Sequence, residues 1–266
     1  MSSLARMLSI FDLFGPASPV LSADEIIARL KTSRPTGYRY VRELVATGLL
    51  VRAPGGYSLG PRIIELDWLI RRHDPVLTAS RSAVRELAAR TGCNVTQMGM
   101  YGERIVTIHH EPGPEPLEIS FDRGRPMPLF RGAPSRAIVA FLPRARLERL
   151  YRTHLGELTA AQRRAGFEKL FEQMQAVRRA GYAVSLGELD ADKVGIAAPV
   201  FRRDRSVAGS VCLAMTRVRY DTANQDLLVN RLLETAARVG ERLEPLDGQA
   251  GSRRNGERAG RLHAKA

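Results

Sequence analysis

The stretch from Ser22 to Gly60 constrains the chain most, because it packs two helix starts and a tight hairpin into one short run. Ser22-Ala23-Asp24-Glu25 is a Ser-x-x-Glu capping box: the hydroxyl and the carboxylate each accept from a backbone amide that a helix start leaves unpaired. A helix over 23–31 follows, with Ile26, Ile27 and Leu30 on its inner face. After Lys31-Thr32-Ser33, Ser33 is placed to cap another helix, whose first turn tolerates Pro35 because amides there have no helical acceptor. Along 34–47, Tyr40, Val41, Leu44 and Val45 form the apolar stripe, and Gly48 ends it. Two strand-like runs, Leu49–Arg52 and Tyr57–Leu59, flank the turn Ala53-Pro54-Gly55-Gly56 and predict a hairpin wing. Upstream, Leu4, Met7, Leu8, Phe11 and Phe14 have helical spacing before Gly15-Pro16, which predicts a first helix over 3–14.

Helix, helix, short turn, helix and basic wing is the order of a winged helix-turn-helix, here residues 1–61. Such an arrangement lays one helix in the major groove of double-stranded DNA and sets the wing against phosphates. Ser33, Arg34, Thr36, Tyr38, Arg39 and Arg42 face outward from the third helix, and Arg52 from the wing. Guanidinium forks match guanine edges or phosphates, and hydroxyls match phosphate oxygens, so these seven are the DNA-binding residues expected.

The remainder reads as a second domain. Amphipathic runs at 61–72 and 76–90, the latter ending at Thr91-Gly92, predict linker helices over 62–92. From Asn94 the period changes to two. Runs 94–100 and 104–110 predict an antiparallel pair, with a third strand at Leu117–Phe121. Helices are expected at 134–141, 163–180 and 222–243. The apolar runs Val194–Phe201 and Val207–Met215 predict a buried hairpin around Arg202–Arg205. The fold class is therefore α/β (α+β), with a mixed or antiparallel sheet over 93–245 and a disordered basic tail over 246–266.

Charge agrees with a nucleic-acid partner without proving one. Lys and Arg number 41 against 28 Asp and Glu, a net +13, but the excess is spread over the chain. No run approaches the roughly 18 apolar residues of a membrane span, and no signal peptide opens the chain, so a cytoplasmic protein without a membrane partner is expected. Cys93 and Cys212 are far apart with no CxxC, which indicates neither a metal site nor a disulfide. His109-His110-Glu111 invites a metal or acid–base reading, yet adjacent strand residues point to opposite faces and cannot easily share one ion. There is no nucleophile elbow, HExxH or phosphate-cradling loop, so no catalytic residue and no cofactor are expected. The alternative of another class is a small-molecule enzyme of GAF-like fold, such as a redox enzyme using Cys93 or Cys212.

These residues carry a family resemblance. Arg39-Tyr40-Val41, Leu44-Val45 and Gly48-Leu49-Leu50, followed by Gly56-Tyr57-Ser58-Leu59-Gly60-Pro61, resemble the N-terminal domain of the IclR family of bacterial transcriptional regulators. Leu87 with Thr91-Gly92, Arg125-Pro126-Met127-Pro128-Leu129, Gly181-Tyr182 with Gly187-Glu188, and Ile196–Phe201 resemble that family's effector-domain blocks in the same order, and the likeness spans 4–244. The resemblance implies a GAF-like effector domain, a homodimer or homotetramer, a palindromic operator, and a small-molecule effector, an organic or aromatic acid, that controls repression or activation.

By position, the resemblance puts effector contacts on Met127, Ala133, Pro134, Ser185, Gly195, Cys212 and Ala214. Relatives that take small carboxylates offer backbone amides at the start of the helix near 134 and two hydroxyls on the last strand. This sequence departs: Pro134 has no N–H, Cys212 and Ala214 replace the hydroxyls, and Ser185 stands at an acidic position. A larger, more apolar effector is expected, held through Arg131 or Arg136 if it is anionic.

Overall fold

A computed structural model describes residues 2–244. The tail expected over 246–266 lies outside the described residues. The chain divides after Asp74 into two compact units, so the two helices expected as a linker are shared between them.

In the first unit, α1 (Ser3–Leu8) tightens into a 3-10 turn over Ser9–Leu13 in place of the single helix expected. That change of pitch rotates the buried face: Ile10 is fully buried, whereas Leu4 and Leu8 are exposed. The capping box forms as expected, and α2 (Ala23–Leu30) buries Ile26 and Ile27. Lys31, in left-handed conformation, turns the chain into α3 (Arg34–Ala46), which buries Gly37, Tyr40, Val41 and Leu44. Ser33 occupies the cap position, but its hydroxyl donates to the Thr36 hydroxyl at 2.9 Å and accepts no backbone amide. Gly37 is required by proximity, since a Cβ there would lie 2.2 Å from Ile27 Cγ1. The wing is β1 (Leu50–Ala53) paired antiparallel with β2 (Gly56–Leu59). Leu21 and Tyr57 exchange two backbone hydrogen bonds of 3.0 and 2.8 Å, tying the wing to the segment before α2. Gly56 permits that approach: a Cβ would sit 2.3 Å from the Leu21 carbonyl oxygen. After the wing runs α4 (Arg62–His73), which buries none of its residues.

The second unit has a six-stranded sheet. Its strands are β3 (Asn94–Tyr101), β4 (Arg104–Glu111), β5 (Pro126–Met127), β6 (Ala183–Leu186), β7 (Lys193–Phe201) and β8 (Val207–Thr216). They lie in the order β5-β4-β3-β8-β7-β6, and every pairing is antiparallel. Strand β7 alternates between two cores: Ile196, Ala198 and Val200 join one, Ala197 the other. That two-sided burial explains its near-continuous apolar sequence. The first core is closed by α5 (Pro75–Thr91) and α10 (Gln225–Glu241). Opposite lie α6 (Ala133–Val139), α7 (Arg144–Thr153) and α8 (Ala160–Ala180), the last broken at Gly166. The final helix expected over 222–243 forms as α10, capped by the Asn224 side chain, and a short α9 (Arg217–Thr222) that was not expected precedes it.

The strand expected at Leu117–Phe121 does not form, and β5 takes the place beside β4. Pro112, Pro114 and Pro116, directly before it, lack the donors that would carry a ladder into the segment. Asn94, buried at the start of β3, holds the segment instead. Its amide donates to the Glu115 carbonyl at 2.9 Å, and its oxygen accepts from Gly113 and Leu117, each at 3.2 Å.

Candidate functional site

Two sites take shape, one in each unit. In the first, α3 and the wing border an open cleft of about 590 Å³ that gathers Thr36, Tyr38, Arg39, Arg42 and Arg52. The helical period on α3 produces this: Gly37, Tyr40, Val41 and Leu44 face the core, which leaves Tyr38, Arg39 and Arg42 on the exposed side. Ser33 and Arg34 lie at the start of α3 and do not line the cleft. Asp24 of α2 draws off two groups, with Arg34 Nη2 3.7 Å away and the Tyr38 hydroxyl donating at 3.3 Å. Arg42 lies 3.8 Å from Glu43. Exposed ion pairs of this kind hold their partners by under about 1 kcal/mol, so a phosphate competes for those arginines easily. Arg39 and Arg52 have no carboxylate partner among the described residues, and lie 5.8 Å from the Tyr40 ring and 5.9 Å from the Tyr57 ring. The cleft therefore offers free guanidiniums beside hydroxyls, a donor set suited to phosphate and base edges.

In the second unit, a cavity of about 60 Å³ opens between the start of β7, the end of β8, β3, and the segment leading to β5. Six of the seven positions expected to meet the effector line it: Met127, Pro134, Ser185, Gly195, Cys212 and Ala214. Ala133 is fully buried and packs on Ala197 and Cys212 instead. The cavity also contains residues the sequence reading left out: Thr96, Met98, Ile119, Phe121, Glu188, Leu189, Asp190, Lys193 and Val194. A charge directly before the apolar run of β7 was the available signal for Lys193. Glu188 follows Gly187 with no local pattern that assigns it a role, and only the fold shows its partners.

Glu188 is engaged on both carboxylate oxygens. One accepts the Gly132 amide at 2.9 Å and the other lies 2.7 Å from Arg136 Nη2. Arg131 donates to the Glu188 carbonyl at 2.5 Å, and Arg136 donates also to the Val184 carbonyl. The two arginines expected to hold an anionic effector are thus committed to the β6–β7 connection. The volume fits about four or five water-sized atoms.

Both cysteines are buried, and burial pushes the Cys212 thiol up to about 12. Such a thiol is thiolate in about one molecule in 100,000 at neutral pH, far from the activated state catalysis needs. On β4, His109 Nε2 lies 3.2 Å from Glu111, and His110 Nδ1 lies 3.2 Å from Asp122. The two imidazoles have different partners, and no cluster of three metal-ligating side chains occurs among the described residues. No helix among them is long and apolar enough to cross a membrane.

Comparison with known proteins places both units. Residues 3–54 match the IclR helix-turn-helix domain, and residues 70–241 match the bacterial transcriptional regulator IclR C-terminal domain. The chain is 25% identical over 248 residues to the HTH-type transcriptional regulator KipR of Bacillus subtilis, covering 91% of this chain and 96% of that protein. It is 25% identical over 225 residues to the regulator XynR of Escherichia coli, covering 83% and 88%. Among solved structures, an IclR transcriptional regulator from Alicyclobacillus acidocaldarius superposes with a TM-score of 0.72 at 25% identity, over 90% of this chain and 97% of that one. An IclR homologue from Microbacterium hydrocarbonoxydans, complexed with 4-hydroxybenzoate, gives 0.69 at 20% identity, over 91% and 99%.

Proposed function

The chain belongs to the IclR family of bacterial transcriptional regulators, and from that premise we propose how this member works. The observation that carries the reading is the cleft between α3 and the wing, where Arg39, Arg42 and Arg52 gather beside Thr36 and Tyr38. In this reading Arg39 reads base edges from the major groove with help from Arg42, Thr36 and Tyr38. Ser33, Arg34 and Arg52 contact phosphates.

A second copy of the chain completes the DNA-binding form. Helix α4 buries nothing, yet it presents Ile64, Leu66, Trp68, Leu69 and Ile70, and α1 adds Leu4 and Leu8. So many exposed large apolar side chains on a regulator of a family with two-fold operators are covered by its twin, giving a homodimer or a tetramer of dimers. An inverted-repeat operator follows, with half-sites about one helical turn, roughly 34 Å, apart.

The cavity of the second unit is the effector site. Its apolar walls and handful of polar groups are those of a small-molecule pocket. The 4-hydroxybenzoate bound by a homologue of the same fold supports a small organic or aromatic acid as the effector class. Effector binding then changes operator affinity. In this reading the protein acts in the cytoplasm, where its DNA is, and the burial of Cys93 and Cys212 speaks against a cysteine redox enzyme as the alternative.

Selection of DNA from a random pool by the full chain tests this reading, together with sedimentation of wild type and of Ile64→Glu/Trp68→Glu. Recovery of an inverted repeat by a dimer or tetramer, and its loss in a monomeric double variant, is the expected result. A monomeric wild type that binds DNA without sequence preference would overturn it.

A further inference from the structure

Three charged side chains line the cavity of the second unit, and they differ in how well they are already partnered. Glu188 has both oxygens occupied, by the Gly132 amide and by Arg136. Asp190 accepts the Ser120 amide at 3.2 Å with one oxygen and the Ser120 hydroxyl with the other. Lys193 is the exception. Its nearest carboxylate is that of Asp192, 3.6 Å away, and the Asp192 side chain is 75% exposed whereas that of Lys193 is 20% exposed. An ion pair that long, with one member in water, does little to hold the ammonium. Lys193 is thus a mostly buried charge at a cavity wall without a close partner.

Most other donors around the cavity are engaged or missing, with the buried Arg136 Nε and Ser135 Oγ as exceptions that do not line it. Arg131 and Arg136 serve Glu188 and the carbonyls of β6 and its loop. The amide of Gly132 is taken, Pro134 has none, and Cys212 and Ala214 bring no hydroxyl. An anion entering the cavity meets one ammonium, with the Thr96 and Ser185 hydroxyls as neutral donors. A second negative charge would face the carboxylates of Glu188 and Asp190.

We infer that Lys193 is the charge anchor of the effector, which is a monocarboxylic acid whose apolar body lies among Met98, Phe121, Met127 and Leu189. This rests on the reading of the cavity as the effector site. Lys193 sets specificity twice: it selects acids over their neutral isosteres, and its single charge selects monoanions over dianions. An ammonium also meets a carboxylate as a point charge, so the site tolerates several orientations of the carboxylate plane.

The test is calorimetric titration of the full-length protein with isobutyrate and benzoate, and with their neutral amides isobutyramide and benzamide. Terephthalate serves as the dianion, and the variants are Lys193→Met and Lys193→Arg. At least one monoacid should bind wild type ten-fold or more tightly than its amide and than terephthalate. Lys193→Met should lose that preference while binding the amide as wild type does, and Lys193→Arg should recover most of it. Unchanged acid affinity in Lys193→Met, or equal affinity for acid and amide, would overturn the assignment of Lys193. No binding of any acid or amide by a wild type that still binds its operator would overturn the reading of the cavity itself. Equal melting temperatures of wild type and Lys193→Met exclude misfolding as the cause of a loss.

Discussion

Replacing Gly37 by alanine tests whether the close packing of α2 on α3 holds the DNA-reading helix in place. The new Cβ would lie 2.2 Å from Ile27 Cγ1, about 1.3 Å short of an ordinary carbon contact. Ile27 is 7% exposed and cannot rotate into water, so the two helices must part. Overpacking of this size costs about 1–3 kcal/mol. Alanine returns about 1 kcal/mol of helix propensity, leaving a net loss of up to about 2 kcal/mol. With Ile27→Ala, whose Cβ would remain 3.3 Å from the new methyl, most of the clash disappears. Ile27→Ala alone costs about 2–5 kcal/mol, but in that background Gly37→Ala should be neutral or stabilising by about 1 kcal/mol. The four proteins form a double-mutant cycle with a coupling of about 1–3 kcal/mol. Urea unfolding followed by circular dichroism measures it, and operator binding of Gly37→Ala should weaken in parallel. If Gly37→Ala stabilises the wild type as much as it stabilises Ile27→Ala, the reasoning is refuted.

Further outcomes follow from buried groups in the second unit. Burial holds the His109 imidazole below the usual histidine range, with Glu111 opposing that shift. The unfolded chain therefore takes up this proton first: the contribution is full above about pH 6.5 and falls as the pH drops toward the folded value. Melting temperatures measured across that window should decline less in His109→Gln, and an identical slope would contradict the assignment. Cys212, pushed up to about 12, and Cys93, buried as well, should resist a thiol reagent at neutral pH in the folded chain and react once it is unfolded in urea. Rapid labelling of the native protein would instead favour a redox enzyme. Asn94→Ala removes three hydrogen bonds that hold the segment over the cavity. It should cost about 1–3 kcal/mol and speed hydrogen exchange at Gly113 and Leu117, whereas unchanged protection there would show that the prolines alone fix the loop.

The first unit was legible because its signals are local. The capping box at Ser22 and Glu25, the helical period along α3 and the turn at Gly55-Gly56 each fix a boundary within a few residues. The first helix misled because Leu4 and Leu8 have the spacing of a core face, yet α4 and α1 leave their apolar residues uncovered within the chain. In the second unit the buried hairpin of β7 and β8 was plain from its apolar run. By contrast α7 is short and so rich in arginine that its three buried residues, Leu147, Leu150 and Tyr151, stand out little although they share one face, and four-residue β6 is too short to show a period. The cavity was located by position through the resemblance, but its charges were not. Whether Arg136 faces a ligand or Glu188 depends on a connection some fifty residues away in sequence, which no local pattern reveals.

The central claim is that α3 reads sequence while the wing supplies charge. Binding of wild type, Arg39→Ala and Arg52→Ala to the selected operator and to a scrambled duplex, over a series of salt concentrations, tests it most directly. Arg39→Ala should weaken operator binding by about 1–3 kcal/mol and narrow the operator-to-scrambled ratio. Arg52→Ala should weaken both duplexes alike and lower the salt slope by about 1. An Arg39→Ala protein that keeps the wild-type ratio would contradict the account.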